Sequence, residues 1–328
     1  MYVENYGNLL IHRRMLADQM RCNAYKNAIT RFVHDNSIVA DVGSGTGIMA
    51  MFAAQAGAKK VYAIEPTETI DVAKKIAEFN GLSNKIEFIQ ARMEDVELPE
   101  SVDLIISEWI GSYGDEENLL TGVLTFRDKW LKPNGHLLPE KLSTMVCLAT
   151  DEITANNMAF WQSQPYGIKF DVIGHLMTNE LFFIDHNIEP QALLTTPQIV
   201  WSHDAYSSTV DESKAAFTTK LRFVIEKPGK LSCVTAWFNA DIGGETYLTN
   251  APDAPKTHWR LVVFPLFCEK TVTPGTLIDV QFTSEPGGAG FRHTSCVVSS
   301  EGEVWGDTNT NRLLTSDKPA FNFVYSSL

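Results

Sequence analysis

Hydrophobic and polar residues follow two different patterns along the chain, and the first pattern covers its N-terminal part. Apolar side chains recur at helical spacing through residues 8–33 and predict one long helix there. Further on, short apolar strands alternate with helical segments; the strands are IVADVG, KVYAIE, IEFIQ, VDLIISE and HLLPE. Strands and helices that alternate at this spacing form parallel βαβ units. We therefore predict a Rossmann-like, doubly wound α/β domain over residues 1–139.

From residue 140 the pattern changes to short segments in which apolar and polar residues alternate. Examples are KLRFVIE, WRLVVFPLF and LIDVQFT, and turn-forming stretches such as KPGK and EPGGAG separate them. Such segments are typical of antiparallel sheets. We predict an antiparallel, β-barrel-like domain over residues 140–328, which also contains the helix-like segment ITANNMAFWQ.

A glycine-rich loop follows the first predicted strand. Asp41 precedes Gly43, Gly45 and Gly47, and Glu65 ends the next strand. Glycines allow the backbone to turn tightly and approach a ligand, and an acid at that strand end is where nucleotide-binding folds contact a ribose. The G-x-G-x-G spacing differs from the G-x-G-x-x-G of dinucleotide folds. The stretch DVGSGTG instead resembles the first motif of S-adenosylmethionine-dependent methyltransferases.

Two further segments supply candidate binding residues. In ARMEDVELP, Met93 could pack on an adenine and Glu94 could accept its amine, although each taken singly fits an ordinary loop. Glu108 follows the strand VDLIIS, and Glu116 and Glu117 lie in the glycine-broken loop after it. Carboxylates in loops are usually solvated. Two acids at the end of a buried strand can also form a binding pair, and the pattern alone leaves both interpretations open.

The charge balance narrows the choice of partners. A net charge of −13 disfavours nucleic-acid binding and favours cationic partners, although it also fits a role in solubility alone. Five widely separated cysteines without a CxxC spacing, and scattered histidines, argue against a disulfide framework and against a metal site. The sequence has no apolar run long enough to span a membrane and no signal peptide. We expect a protein of the cytoplasm or nucleus.

Several of these motifs occur together in an order that resembles the protein arginine N-methyltransferase family. Tyr2 and Tyr6 match its N-terminal Tyr-x-x-x-Tyr element, and SEWIGSYGDEE matches its double-glutamate loop. Thr257, His258 and Trp259 match its threonine-histidine-tryptophan loop, and RDKWLKPNG and FWQSQPYG also have counterparts. The resemblance covers nearly the whole chain. It implies S-adenosylmethionine as the cofactor and arginine guanidinium groups as the methyl acceptors.

The same resemblance implies roles for individual residues. Glu108 and Glu117 would bind the planar guanidinium as a pair. His258 would relay the proton that the guanidinium loses, and Trp259 would line the arginine pocket. Taken alone, Trp259 fits a buried structural position equally well, and His258 fits a hydrogen-bonded interfacial histidine better. The Thr-His-Trp context reverses the preference for His258. The residues implied to hold the cofactor are His12, Arg21, Asp41, Gly43, Gly45, Gly47, Glu65, Met93 and Glu94, and those implied to contact the substrate are Tyr2, Tyr6, Met15 and Trp259.

Product and assembly are implied in the same way. Met15 stands where enzymes that make asymmetric dimethylarginine carry methionine, so mono- and asymmetric dimethylarginine on Arg/Gly-rich proteins are the expected products. Residues 151–180 correspond to the helical dimerisation arm, which implies a homo-oligomer or a hetero-oligomer with a paralogous arginine methyltransferase. Ser112 and Glu116 depart from the aromatic residues usual in the double-glutamate loop. They predict a more polar and flexible loop, in which Glu116 could replace Glu117 as the second acid.

Two other hypotheses stand beside an active enzyme. The altered acid loop fits a catalytically weak, prozyme-like regulatory subunit that activates a paralogous subunit. The intact DVGSGTG and THW motifs, with Glu65, Glu108 and Glu117, favour the active enzyme. A small-molecule methyltransferase requires neither the acid pair nor a long β domain and ranks last.

Overall fold

The computed structural model describes residues 8–287 and 291–310, so Tyr2 and Tyr6 lie outside the described residues. The chain forms two compact units. The first comprises the chain up to Ser143 with the segments Ser202–Ala215 and Phe238–Trp259, and the second comprises Thr144–Trp201, Ala216–Trp237 and the chain from Arg260 onward. The predicted boundary between residues 139 and 140 lies near the first change of unit. The pattern of apolar and polar residues did not predict that Ser202–Ala215 and Phe238–Trp259 belong to the first unit.

The helical N-terminal region is broken in its middle. Helix α1 spans Leu9–Ala17 and helix α2 spans Gln19–Phe32, so the single helix predicted over residues 8–33 is wrong. Asp18 separates the two because its backbone is extended and its Oδ1 accepts a hydrogen bond of 2.9 Å from the backbone N–H of Arg21. A carboxylate at this position satisfies a donor that has no partner within the helix. The residue therefore ends one helix and begins the next.

A parallel sheet forms the core of the first unit. Its strands are β1 (Ile38–Val42), β2 (Lys60–Ile64), β3 (Ile86–Ile89), β4 (Val102–Ile106) and β5 (Leu131–Leu138). They pair in the order β3-β2-β1-β4-β5, and every pair is parallel. The connections contain helices α3 (Ile48–Gln55), α4 (Thr69–Phe79) and α5 (Leu120–Trp130) and a short 3₁₀ turn at Met93–Asp95. Every residue of β1 is buried, as expected for a strand covered on both faces. The predicted Rossmann-like architecture is confirmed.

The later strands pair in antiparallel fashion. They are β6 (Lys141–Ala149), β7 (Phe182–Ile184), β8 (Gln198–Asp204), β9 (Phe217–Val224), β10 (Gly229–Gly243), β11 (Thr246–Thr249), β12 (Leu261–Val272), β13 (Leu277–Pro286), β14 (Arg292–Ser300) and β15 (Glu303–Asn309). One sheet has the order β7-β12-β10-β6-β8, with β11 paired to β10, and the other has the order β15-β14-β13-β9. Strand β12 is antiparallel to β10 and β7, and β13 is antiparallel to β9 and β14. The predicted antiparallel domain is confirmed.

Short helices accompany these sheets. Helices α6 (Glu152–Phe160) and α7 (Asp171–Met177) lie within the predicted arm at residues 151–180, and Phe160 and Tyr166 there are exposed. Helix α8 (Val210–Lys214) belongs to the first unit. The use of the arm in dimerisation stays a prediction. Within the described residues, no helix has the length and apolar character needed to cross a membrane.

Gly135 in β5 leaves no room for a side chain. A Cβ there would lie 2.5 Å from Cδ1 of Leu131 and 2.9 Å from the backbone oxygen of Asp103. We expect Gly135→Ala to lower the free energy of unfolding by about 2 kcal/mol, a usual cost of overpacking a core. Urea denaturation followed by circular dichroism measures the change.

The matched control is Gly81→Ala. Gly81 has a φ of 68° and nothing within 4 Å of an added Cβ, so the variant reports the left-handed backbone cost alone, about 1 kcal/mol. A Gly135→Ala variant that costs no more than this control would contradict the steric interpretation.

Candidate active site

The glycine-rich loop joins β1 to α3 and has little free space. Gly45 and Gly47 have φ values of 52° and 80°, a region that favours glycine. A Cβ on Gly45 would lie 2.8 Å from Cε1 of the buried His12, and one on Gly47 would lie 3.2 Å from Cβ of Ala73. The loop and His12 are therefore in close contact. Gly45 and His12, both predicted to bind the cofactor, lie side by side.

Acids at the ends of β1 and β2 hold this loop. Oδ2 of the buried Asp41 accepts a hydrogen bond of 2.8 Å from the backbone N–H of Ala50 in α3, and burial raises the pKa of Asp41 to about 7. Oε2 of Glu65 accepts a hydrogen bond of 2.9 Å from Gly45 N, and its Oε1 accepts from Thr67 N and Oγ1 at 3.0 and 2.6 Å. Each acid is thus oriented by backbone donors.

The same loop offers groups suited to a polar ligand. The hydroxyl of Ser44 is buried and has no hydrogen-bond partner. It lies next to Gly43, whose φ of 75° continues the left-handed course of the loop. A buried hydroxyl without a partner is costly unless a ligand or water satisfies it. The loop therefore fits the binding of a small polar cofactor.

Met93 and Glu94 pack on helix α5. A Cβ on Gly122 would lie 2.7 Å from Sδ of Met93 and 2.9 Å from Oε1 of Glu94. Glu94 is exposed, and its Oε2 lies 3.5 Å from Nε of Arg92. Contact with an adenine stays a prediction for both residues.

A nearly buried ion pair joins helix α2 to the loop of residues 107–119, here called the acid loop. Nε and Nη2 of Arg21 lie 3.0 and 2.9 Å from Oε2 of Glu108, and the side chains are 8% and 10% exposed. Burial opposes the charge of Arg21, but the carboxylate of Glu108 together with Cys22 and Tyr25 outweighs it and raises the pKa of Arg21. The sequence had assigned Arg21 to the cofactor and Glu108 to the substrate. The structure brings the two residues together, a contact that the sequence reasoning missed.

The acid loop itself, residues 107–119, is tightly hydrogen-bonded. Glu116 accepts hydrogen bonds from the backbone N–H groups of Ser112 and of Tyr113, the second at 3.4 Å. Oδ1 of Asp115 accepts from Leu120 N at 3.2 Å, at the start of α5. Asp115 and Glu116 are both buried. The acids of this insert satisfy backbone donors, and the greater flexibility expected from Ser112 and Glu116 stays a prediction.

The neighbouring acids Glu116 and Glu117 both have a raised pKa. Burial raises the pKa of each to about 8, and for Glu116 the backbone donors of the loop partly oppose the shift. Glu117 as a whole residue is partly exposed. A carboxyl group with such a pKa ionises readily when a cation binds beside it.

His258 contacts an acid that the sequence reasoning missed. Oδ2 of Asp18 accepts hydrogen bonds from the backbone N–H of His258 at 2.7 Å and lies 2.8 Å from its Nδ1. Burial alone would raise the pKa of Asp18, but hydrogen bonds from His258 and from Arg21 N lower it. The signal available in the sequence was an aspartate, a favoured N-cap residue, within an otherwise helical pattern.

Asn250 and Trp259, which precede and follow His258 in the sequence, donate hydrogen bonds to backbone oxygens of the acid loop. Nε1 of Trp259 donates to the backbone oxygen of Ile110 at 2.8 Å. Nδ2 of Asn250 donates to the backbone oxygen of Ser112 at 2.8 Å. Nothing in the sequence had singled out Asn250. Met15 is partly exposed in α1, and its backbone oxygen accepts a long hydrogen bond of 3.5 Å from Sγ of Cys22.

The parallel sheet, its glycine loop and its strand-end acids define a methyltransferase-type domain. A family model described as "Methyltransferase domain" matches residues 39–135, and one described as "Arginine methyltransferase oligomerization subdomain" matches residues 142–301. Two solved structures have the same fold. One, "Trypanosoma brucei PRMT1 enzyme-prozyme heterotetrameric complex with AdoHcy", gives a TM-score of 0.84 at 28% identity over 93% of this chain and 99% of that chain. The other, Arabidopsis thaliana protein arginine methyltransferase 10, gives 0.79 at 27% identity over 94% and 100%.

Curated relatives narrow the class. Protein arginine N-methyltransferase 8-B of Danio rerio is 34% identical over 87% of this chain and 68% of its own length. Protein arginine N-methyltransferase 1 of Caenorhabditis elegans is 35% identical over 87% of this chain and 83% of its own length. At this identity and coverage, the chain belongs to the protein arginine N-methyltransferase family. The cofactor of this class is S-adenosylmethionine.

The buried acids make stability depend on pH. The pKa of Glu117 is about 8 in the folded chain and 4.5 ordinarily, so the folded state keeps a proton that the unfolded state releases between these values. The free energy of unfolding should therefore fall as pH rises from about 5 to 8. We expect Glu117→Gln to lose less stability over this range than the wild type in urea denaturation. Asp41 and Glu116 shift in the same direction and should leave a residual slope.

The exposed acid Glu78 in α4 provides the control for this measurement. Glu78→Gln should follow the wild-type dependence on pH. Equal losses in Glu117→Gln and in the wild type would show that the Glu117 carboxyl group ionises freely in the folded chain.

Proposed function

We propose that this chain transfers methyl groups from S-adenosylmethionine to guanidinium nitrogens of arginine in Arg/Gly-rich proteins. The observation that carries the proposal is the acid loop, in which Glu108 already binds a guanidinium, that of Arg21, through two nitrogens. Glu117 lies on the same loop and carries a carboxyl group whose pKa is poised near 8. The family match supports the same reaction.

The two acids have complementary tasks towards a substrate arginine. A guanidinium is planar, always charged and forked, so a carboxylate can bind two of its N–H groups at once. Two carboxylates that bind opposite sides would orient one terminal nitrogen and concentrate its lone-pair density on the reacting side. Such orientation of reacting groups can supply much of a rate enhancement. The bound cofactor supplies an electrophilic methyl group.

The pair of Asp18 and His258 would accept the proton that the guanidinium nitrogen loses as its new C–N bond forms. Asp18 fixes the orientation of the imidazole through the contact of 2.8 Å with Nδ1. Nε2 then remains the ring nitrogen available to substrate. An ionised carboxylate beside the ring also stabilises the imidazolium formed on protonation.

For the cofactor, the geometry supports a site on the glycine loop. The unpartnered hydroxyl of Ser44 and the carboxylate of Glu65 offer an acceptor and donor set for ribose or amino-acid groups. His12 closes the loop at Gly45. Arg21 contacts Glu108 through Nε and Nη2, so Nη1 is the nitrogen that would bind the cofactor carboxylate.

Product and location belong to the same proposal. Met15 favours mono- and asymmetric dimethylarginine as products, and the net charge of −13 favours cationic substrate segments. We place the activity in the cytoplasm or nucleus.

Assembly is proposed from the second half of the chain. Residues 142–301 match an oligomerisation subdomain, and the arm exposes Phe160, Tyr166 and Ile168. A homo-oligomer, or a hetero-oligomer with a paralogous arginine methyltransferase, would cover such apolar groups.

A second candidate is a regulatory, prozyme-like subunit that activates a paralogue. The observation that favours it is the similarity to a solved enzyme–prozyme heterotetrameric complex. Ser112 and Glu116, which depart from the family pattern, are consistent with it.

Methylation of an Arg/Gly-rich peptide separates the two candidates. We expect the wild type to bind S-adenosylmethionine in calorimetry and to methylate the peptide. Glu108→Gln and Glu117→Gln should each lower kcat about 100-fold or more, because each removes a carboxylate that would hold the guanidinium in the transition state. Glu78→Gln should behave as the wild type. A chain that is inert alone but raises the activity of a co-expressed paralogue would support the regulatory candidate, and full activity in either acid variant would refute the acid pair.

Activity should also depend on pH through Glu117. Arginine stays charged throughout the working range, so the enzyme group titrates and the substrate does not. With a pKa of about 8, Glu117 is largely protonated at neutral pH in the free chain and must ionise to bind a guanidinium. We expect kcat/KM to rise with pH and to level off above about 8. A flat profile between about pH 6.5 and 8.5 would contradict the assignment of Glu117 as the second acid.

A further inference from the structure

Ser112 lies between Glu108 and Glu117, and both polar groups of its backbone are held by side chains. Its N–H donates to Oε1 of Glu116, and its carbonyl oxygen accepts from Nδ2 of Asn250 at 2.8 Å. Backbone groups in a loop more often face water. Here one residue of the acid loop is fixed from two directions.

We propose that Glu116 and Asn250 are positioning residues that together fix the course of the loop between Glu108 and Glu117, and hence the spacing of the two acids. The inference rests on the proposed function of those acids as a guanidinium pair. It gives Glu116 a task distinct from that of Glu117. Neither Glu116 nor Asn250 touches the substrate in this role.

The surroundings of Glu116 favour a structural task over its use as a substitute second acid. Its carboxyl group lies against Cα of Gly111, where even a Cβ would overlap all its oxygen atoms. It also accepts from Tyr113 N at 3.4 Å, and the residue is 7% exposed. The oxygens of the Glu116 carboxyl group face the loop backbone in a buried site, so we assign this group to holding the loop. Glu117 therefore stays the second acid.

Asn250 is itself held in one orientation. Its Oδ1 accepts a hydrogen bond of 2.9 Å from the backbone N–H of Phe238 in β10, which directs Nδ2 towards Ser112. The preceding residue, Thr249, ties the same hairpin by donating to the oxygen of Phe238 at 2.6 Å. A side chain fixed at its acceptor end offers its donor in a single direction. Asn250 thus links the backbone of β10 to the backbone of the acid loop.

Ile110 repeats the arrangement two residues earlier. Its N–H donates to Oε1 of Glu108 at 3.0 Å, and its oxygen accepts from Nε1 of Trp259 at 2.8 Å. In both Ile110 and Ser112 the backbone N–H and C=O groups are hydrogen-bonded. These bonds fix the backbone conformation of the segment from Glu108 to Ser112. A change at Ser112 should therefore shift the whole segment and the acids at its ends.

Two near-isosteric variants test each side of Ser112. Asn250→Asp keeps the acceptor for Phe238 and removes the donor to Ser112, and Glu116→Gln keeps the shape and removes one acceptor. The controls are Asn80→Asp and Glu78→Gln on the exposed end of α4. Amide hydrogen exchange of the peptide that covers residues 107–119 measures the loop directly, without reference to activity. Loss of one hydrogen bond should speed exchange there about five- to tenfold.

The functional measurements then separate positioning from folding. We expect each variant to lower kcat/KM for the peptide about tenfold, with the loss mainly in kcat, while cofactor affinity and Tm stay near those of the wild type. The double variant should lose far less than the product of the single losses, because both side chains act on one residue. If one variant fails to fold, the exchange and kcat of the other, compared with its own control, decide the test.

The outcomes are distinct. Faster exchange with reduced kcat, in both variants but not in the controls, supports the inference. Unchanged exchange, or faster exchange with full activity, overturns it. A wild type that methylates nothing, alone or with a paralogue, overturns the proposed function instead, and its exchange data then decide only whether the loop is held as described.

Discussion

The carboxylate of Asp18 is the contact on which the site depends. Its Oδ1 caps helix α2, and its Oδ2 binds the backbone N–H and Nδ1 of His258. Three residues further on, Arg21 binds Glu108. The first turn of one helix therefore contacts both His258 and Glu108, the residues proposed as proton acceptor and substrate acid. Had α1 and α2 formed one continuous helix, the cap and the contact with His258 would not exist.

The second constraint is the placement of acids away from water. Asp41, Glu116 and Glu117 have pKa values raised to about 7, 8 and 8, in each case chiefly by burial. Burying charge is unfavourable unless partners compensate it. Backbone donors compensate Asp41 and Glu116. A cation bound beside Glu117 would favour its ionised form, so the burial that raises its pKa is compatible with a cationic substrate.

Sequence predicted the sheet and the glycine loop because these depend on local patterns, whereas the acid pair was inferred from the resemblance to the family and stays a prediction. Alternating strands and helices determine a parallel sheet, and the loop residues from Gly43 to Gly47 are adjacent in the chain. The contacts of Asp18 with His258 and of Asn250 with Ser112 join residues 240 and 138 positions apart. The periodicity of apolar residues does not predict contacts between residues so far apart in the sequence. The sequence shows a polar insert, but counting its charged residues does not reveal which backbone donors they satisfy.

The return of Phe238–Trp259 to the first unit has a consequence for how the protein is made. Translation proceeds from the N-terminus, and N-terminal domains usually fold first. Here the parallel sheet can be synthesised in full while Asp18, Ile110 and Ser112 still lack the partners supplied by His258, Trp259 and Asn250. The site is therefore completed late in synthesis, after most of the antiparallel strands preceding β12 have left the ribosome. A nascent chain would carry the cofactor loop well before it could carry a finished acid loop.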